Sequence, residues 1–125
     1  MWYDKRINIS DLIGKTFKKV YKNTGDDEIT FECSDGKTYK MLHEQDCCES
    51  VYIEDINGSL DLLVGSPLLQ AEESTNNENP LTDDYDESFT WTFYNFATIN
   101  GYVTIRWYGT SNGYYSESVD IYEVE

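Results

Sequence analysis

The sequence predicts a mainly β domain, in which two antiparallel β-meanders form a curled sheet or small sandwich with short helical turns between strands. Three observations predict it. Apolar and polar residues alternate with period two along most of the chain, as half-buried strands require. Aromatic residues make up 15% of the sequence, with eleven Tyr and three Trp, and such rings suit a pleated, half-buried surface. Glycine-bearing turn sequences punctuate the alternating stretches.

The elements follow in order. Ser10 followed by AspLeuIleGly reads as a short capped helical turn, the Ser hydroxyl accepting an otherwise orphan N–H and Gly14 closing it. Residues 17–22, 28–33 and 37–42 alternate across the reversing sequences AsnThrGlyAspAsp and SerAspGlyLys, which makes a three-stranded meander. In its middle strand Ile29, Phe31 and Cys33 share one face, so Cys33 belongs to the core. Residues 43–50 interrupt the pattern and 51–56 resume it. SerLeuAspLeuLeuVal at 59–64 fits one helical turn or a short buried strand, closed by GlySerPro, and the helical turn is the preferred reading. Residues 72–87 carry few apolar anchors, and 74–87 are expected as an acidic exposed loop. Residues 88–98, 102–108 and 114–124 then form a second meander. Phe89, Trp91 and Phe93 are expected on the core face with Val103, Ile105 and Trp107, opposite a half-polar face bearing Thr90, Thr92, Tyr94, Tyr102, Thr104 and Arg106.

A chain of 125 residues fits a single domain, 1–125, because a second independent core would be too small to be stable. Nothing resembles a run of about 18 apolar residues or a secretory leader, so neither membrane nor export is expected. Cys33, Cys47 and Cys48 are odd in number and two are adjacent. Reduced thiols in a cytoplasmic setting are therefore expected.

Charge is distributed unevenly. Residues 1–40 hold eight of the nine Lys/Arg and seven acids, a net of +1; residues 41–125 hold Arg106 against seventeen acids, a net of −16, which together give the formal −15. Such a field repels nucleic acid and anionic membrane and attracts basic protein surfaces. Solubility alone would also account for it.

The densest polar cluster runs from His43 to Glu49 and sets the single His beside two thiols and three carboxylates. A second Cys or His pair, which structural metal sites use, is absent from the sequence. A bulged or helical connection that packs its cysteines inward is the preferred reading, with no metal and no cofactor. Thiol catalysis by Cys47 or Cys48 with His43 lacks a third orienting group at a diagnostic spacing. Asp83, Asp84, Asp86 and Glu87 have the acid density of a calcium loop without its alternation, glycine or terminal Glu. Phosphate-cradling and nucleophile-elbow motifs are absent. The Tyr-rich ribbon around Trp107, Tyr108, Tyr114 and Tyr115 could stack bases, but Arg106 is the lone cation of the later two-thirds. Direct nucleic-acid binding is not expected.

Several blocks together resemble a family of small phage and prophage proteins: HEQDCCESV at 43–51, IEDI at 53–56, GSP at 65–67, AEE at 71–73, SFTWTFY at 88–94, GYVTIRWYG at 101–109 and SNGYYSE at 111–117. The resemblance spans residues 38–118. It implies a mobile-element origin and supplies no activity or catalytic residues. Small phage accessory proteins often look like host-defence antagonists, and a non-enzymatic binding protein acting in the host cytoplasm is the expectation. One form is an acidic, nucleic-acid-mimicking inhibitor of a host nuclease, comparable to some anti-CRISPR proteins, with Glu54, Asp55, Asp83, Asp84, Asp86 and Glu87 meeting a basic host protein. An alternative is a sponge for a cyclic nucleotide immune signal, held by Arg106, Trp107, Tyr114 and Tyr115 between subunits of a homo-oligomer. A third is a small metal- or thiol-dependent enzyme built on His43–Cys48.

Overall fold

The computed structural model describes residues 5–23, 25, 27–45, 48–76, 88–111 and 116–124. Nine strands appear among them: β1 (Lys5–Ile7), β2 (Phe17–Lys22), β3 (Glu28–Cys33), β4 (Thr38–Leu42), β5 (Ser50–Asn57), β6 (Gln70–Asn76), β7 (Ser88–Thr98), β8 (Gly101–Ser111) and β9 (Asp120–Val124). They form two antiparallel sheets, one in the order β1-β9-β4-β3-β2 and the other β5-β8-β7-β6. The expected mainly β architecture is what the chain adopts, as two sheets closed on a common core.

Each sheet contributes one apolar face. In the first, Val20 opposes Phe31, and Phe31 opposes Tyr39; these three, with Ile29, Cys33 and Met41, are buried. In the second, Phe96 opposes Val103 and Tyr94 opposes Ile105, and all four are at most 1% exposed. The layers meet where the Phe31 and Phe96 rings lie 5.6 Å apart, with Phe17 a further 5.3 Å from Phe31. Two 3-10 turns add apolar side chains to this core: Ile9–Leu12 contributes Leu12, and Leu60–Leu63 contributes Leu63. The helical turn expected at 59–64 is thus present, with the Ser59 Oγ accepting from the Asp61 N–H at 3.3 Å. The first turn is capped two residues earlier than Ser10 implied. Asn8 is its N-cap, and its N–H donates to the Asp11 Oδ2 at 3.1 Å.

Three expectations need correction. The last strand does not extend a second meander: β9 leaves β8 and inserts between β1 and β4. Its Ile121, opposed to Met41 and Ile7, gains an apolar site that no local neighbour offers. The acidic loop begins later than 74, because Gln70–Asn76 is an edge strand paired to β7; residues 77–87 lie outside the described residues. The faces of β7 are also reversed. Thr98 opposes Gly101 across a two-residue turn, so Thr92 opposes Trp107, while Trp91 opposes Tyr108. Phe89, Trp91 and Phe93 therefore occupy the outer face, and Thr92, Tyr94 and Phe96 the inner one. Turn length sets register, and a slip of one residue exchanges every side chain between faces.

Gly58, just past β5, has φ +106°, and a Cβ there would sit 2.9 Å from the Tyr102 carbonyl oxygen. Backbone cannot yield as a flexible side chain can. Gly58→Ala should cost about 2 kcal/mol in unfolding free energy, measured by urea titration. A cost below about 0.5 kcal/mol would show that the β5 exit relaxes freely.

Candidate functional site

The outer face of the four-stranded sheet is aromatic. Tyr108 of β8 stands at its centre, opposed in register by Trp91 of β7 on one side and Tyr52 of β5 on the other. Its ring centroid lies 4.4 Å from Trp91, 6.0 Å from Tyr52 in an edge-on arrangement and 6.2 Å from Phe89 in a stacked one. Aromatic–β pairings of this kind stiffen a sheet face. The rings nonetheless keep access to solvent: Trp91, Phe89 and Tyr108 are half-buried and Tyr52 is 39% exposed.

Arg106, two residues before Tyr108, shares this face. Its guanidinium carbon lies 5.5 Å from the Trp91 ring centroid, while Nε donates to the Glu54 Oε1 at 2.7 Å and Nη2 approaches the same oxygen at 2.5 Å. Glu54 reaches this position because β5 bulges between Ile53 and Asp55. A bulge adds one residue and re-aims a side chain. Asp55 then resumes the register opposite Arg106. With Arg106 and Glu54 40% and 35% exposed, the pair contributes less than about 1 kcal/mol to stability and acts mainly to orient the guanidinium.

The expected site residues fare differently. Glu54, Asp55 and Arg106 come together on one face. Trp107 does not join them: it is 1% exposed and sits in the core opposite Thr92 and Ile53. Successive strand residues point to opposite faces, so Arg106 and Trp107 cannot line one pocket. Tyr114, Tyr115, Asp83, Asp84, Asp86 and Glu87 lie outside the described residues. Tyr52, Phe89 and Trp91 were not read as site residues. The two-residue turn between Thr98 and Gly101 was the signal that would have placed them outward.

The acids beyond residue 40 do not all gather into one surface. Because β9 lies between β1 and β4, Asp120 pairs with Arg6 at 3.6 Å, and Glu123 lies 3.7 Å from both Lys5 and Lys37. Basic N-terminal strands thus offset part of the acidic charge. Glu72 stays on the outer face with Asp55 and Glu54, since Glu72 opposes Asn95.

His43 is a structural link. Its side chain is 5% exposed, and Nε2 meets the Glu49 Oε2 at 2.6 Å while Nδ1 meets the Ser118 carbonyl at 2.6 Å. Both ring nitrogens are occupied, which leaves neither for a metal or a thiol. Cys48 is disulfide-bonded and exposed, contrary to the expectation of reduced, inward-packed thiols; Cys47 lies outside the described residues. Cys33 is free and buried, and burial pushes its thiol up to about 11, which keeps it protonated. Among the described residues no group of three His, Cys, Asp or Glu could hold a metal ion.

Polar cavities of about 580, 550 and 350 Å³ surround residues 116–121. In the smallest, Glu117 accepts from Thr90 at 2.7 Å, from Ser111 at 2.6 Å and from Ser88. Glu73, which lines two of the cavities, has its carboxyl raised above the usual range by desolvation and then by Asp120, against a hydrogen bond from Tyr94. The residue as a whole is exposed, so solvent screens the effect. A raised folded pKa gives a contribution that is present below the unfolded value and lost as pH rises through the folded one. Glu73→Gln should therefore raise the melting temperature at pH 7 and leave it unchanged at pH 4. A lower melting temperature at pH 7 would show that the carboxylate is stabilising.

No curated protein and no solved structure matches the chain. A family model does match, over residues 10–121, from the first 3-10 turn into β9 and across both sheets. The chain belongs to the family described as a domain of unknown function, DUF7448.

Proposed function

We propose that the protein works by stoichiometric binding rather than catalysis, presenting the outer face of its four-stranded sheet to a basic protein surface. In the most specific form of this reading, the partner is a host nuclease or other defence protein whose basic channel ordinarily holds nucleic acid, and the acids occupy the place of phosphates. The observation that carries it is the ordered aromatic cluster around Tyr108, left accessible and bordered by Glu54 and Asp55, with Glu72 farther along the same face, in a chain of formal charge −15. Aromatic anchors framed by charge are what protein interfaces concentrate, and long-range attraction speeds encounter with a positive partner. The partial offset of β9 by Lys5, Arg6 and Lys37 confines the useful acidic surface to the other sheet.

The test is inhibition of purified nucleases with basic channels, assayed across a salt series with nucleic acid as competitor. Inhibition at equimolar protein, relieved by excess nucleic acid and weakening steeply with salt, is expected. Absence of inhibition across the panel, or inhibition indifferent to salt, removes the reading.

Arg106 over Trp91 favours a second reading, a sponge for a cyclic nucleotide, since a base could stack on these rings and Arg106 could meet its phosphate. Glu54 opposes it by holding the guanidinium and repelling an anion. A thermal shift with cyclic dinucleotides, in the absence of any protein partner, would support the sponge; no shift would discard it.

A further inference from the structure

We propose that the aromatic outer face around Tyr108 docks arginine side chains of the protein partner, with the rings stacking guanidinium planes and Glu54 and Asp55 accepting their N–H donors. This rests on the reading that the partner is basic, and adds which basic residue is recognised and where. The chain carries its own template. Arg106 already lies over Trp91 while Glu54 grips its Nε and Nη2, which is the combination of flat ring and carboxylate that a guanidinium seeks. The half-buried Tyr108 ring, opposed to Trp91 on the neighbouring strand and flanked by Tyr52 and Phe89, extends this aromatic surface, with Tyr52 39% exposed at its rim.

The chemistry separates arginine from other occupants. A lysine ammonium is compact and strongly hydrated, so a ring offers it less than it offers the weakly hydrated, planar guanidinium. A second copy of this chain would bring another formal −15 to a face whose described cation is already held by Glu54. A nucleotide phosphate would have to displace that same carboxylate.

The experiment compares hexaarginine and hexalysine peptides, equal in charge, by calorimetry on the full chain at about 0.15 M salt, where exposed charges are largely screened beyond about 8 Å. Hexaarginine should bind at least about three-fold tighter. Tyr108→Ala and Trp91→Ala should bring the ratio to about one with hexalysine affinity unchanged, and Tyr108→Phe should preserve it. Tyr52→Ala, at an exposed ring that folding can spare, should reduce the ratio even if the inner variants unfold. Equal affinities in the parent chain overturn the proposal, as does a preference that survives Tyr52→Ala and Tyr108→Ala, or competitive displacement of hexaarginine by a cyclic dinucleotide. The two readings fail separately. Nuclease inhibition retained in Tyr108→Ala would leave inhibition standing and sink the arginine surface. An arginine preference in a chain that inhibits no nuclease would do the reverse.

Discussion

Phe96→Ala should lower the unfolding free energy by about 3–5 kcal/mol, the loss expected for a fully buried ring. Phe96 is fully buried and makes the ring contact that joins the sheets, 5.6 Å from Phe31. Deleting it removes a large apolar transfer term and leaves a cavity flanked by strands on both sides, which hydrogen-bonded ladders prevent from collapsing. Phe89→Ala is the matched control. It deletes the same atoms from the same strand but on the half-buried outer face, where solvent fills the space, and should cost about 1 kcal/mol. Urea titrations of the two variants compare the faces directly. A reversed order of costs would mean that β7 pairs with β8 one residue out of the register described, with the Phe89 face turned inward.

That register was the least legible part of the sequence. The β2–β4 meander could be read nearly to its ends, because one face of each strand is apolar, the other polar, and its turn sequences are distinctive. On β7 both faces carry rings: Phe89, Trp91 and Phe93 on one, Tyr94 and Phe96 on the other. Hydrophobicity cannot choose between them, and only the length of the turn after Thr98 does. β9 was misplaced for another reason. Its neighbours Met41 and Ile7 are remote in sequence, and nothing in residues 114–124 announces a change of sheet. β6 escaped notice because Glu72, Glu73, Ser74 and Thr75 are exposed on an edge strand, where pairing to β7 substitutes for apolar alternation. Of the site, charge points to Glu54 and Asp55 as an acidic contact and to Arg106 as part of a separate aromatic pocket; that the three meet on one face is not legible in the sequence. The bulge that joins Glu54 to Arg106 has no local sign in the sequence, and Trp107, expected in an aromatic pocket with Arg106, lies on the opposite face because successive strand residues alternate.

His43→Ala should cost about 3–5 kcal/mol, as removal of one partner from a buried ionisable pair does. The Glu49 side chain is 0% exposed and the imidazole 5%, so water cannot readily replace what is lost. The hydrogen-bond chemistry is restrictive. The Ser118 carbonyl only accepts, so Nδ1 donates to it, and Nε2 faces the Glu49 carboxyl. The imidazole therefore ties the segment after β4 to the segment leading into β9, across 75 residues of sequence. Glu49→Gln alone should also destabilise, and the double variant should cost less than the two single losses combined by at least about 1 kcal/mol, since each single change strands part of the same network. Additivity within about 0.5 kcal/mol would show that the contact contributes no coupling. The link is separate from the outer aromatic face, so folded His43→Ala should keep the preference for hexaarginine over hexalysine. A variant that loses stability yet retains recognition would assign the single histidine to holding the two sheets in place, and leave binding to Tyr108 and its neighbours.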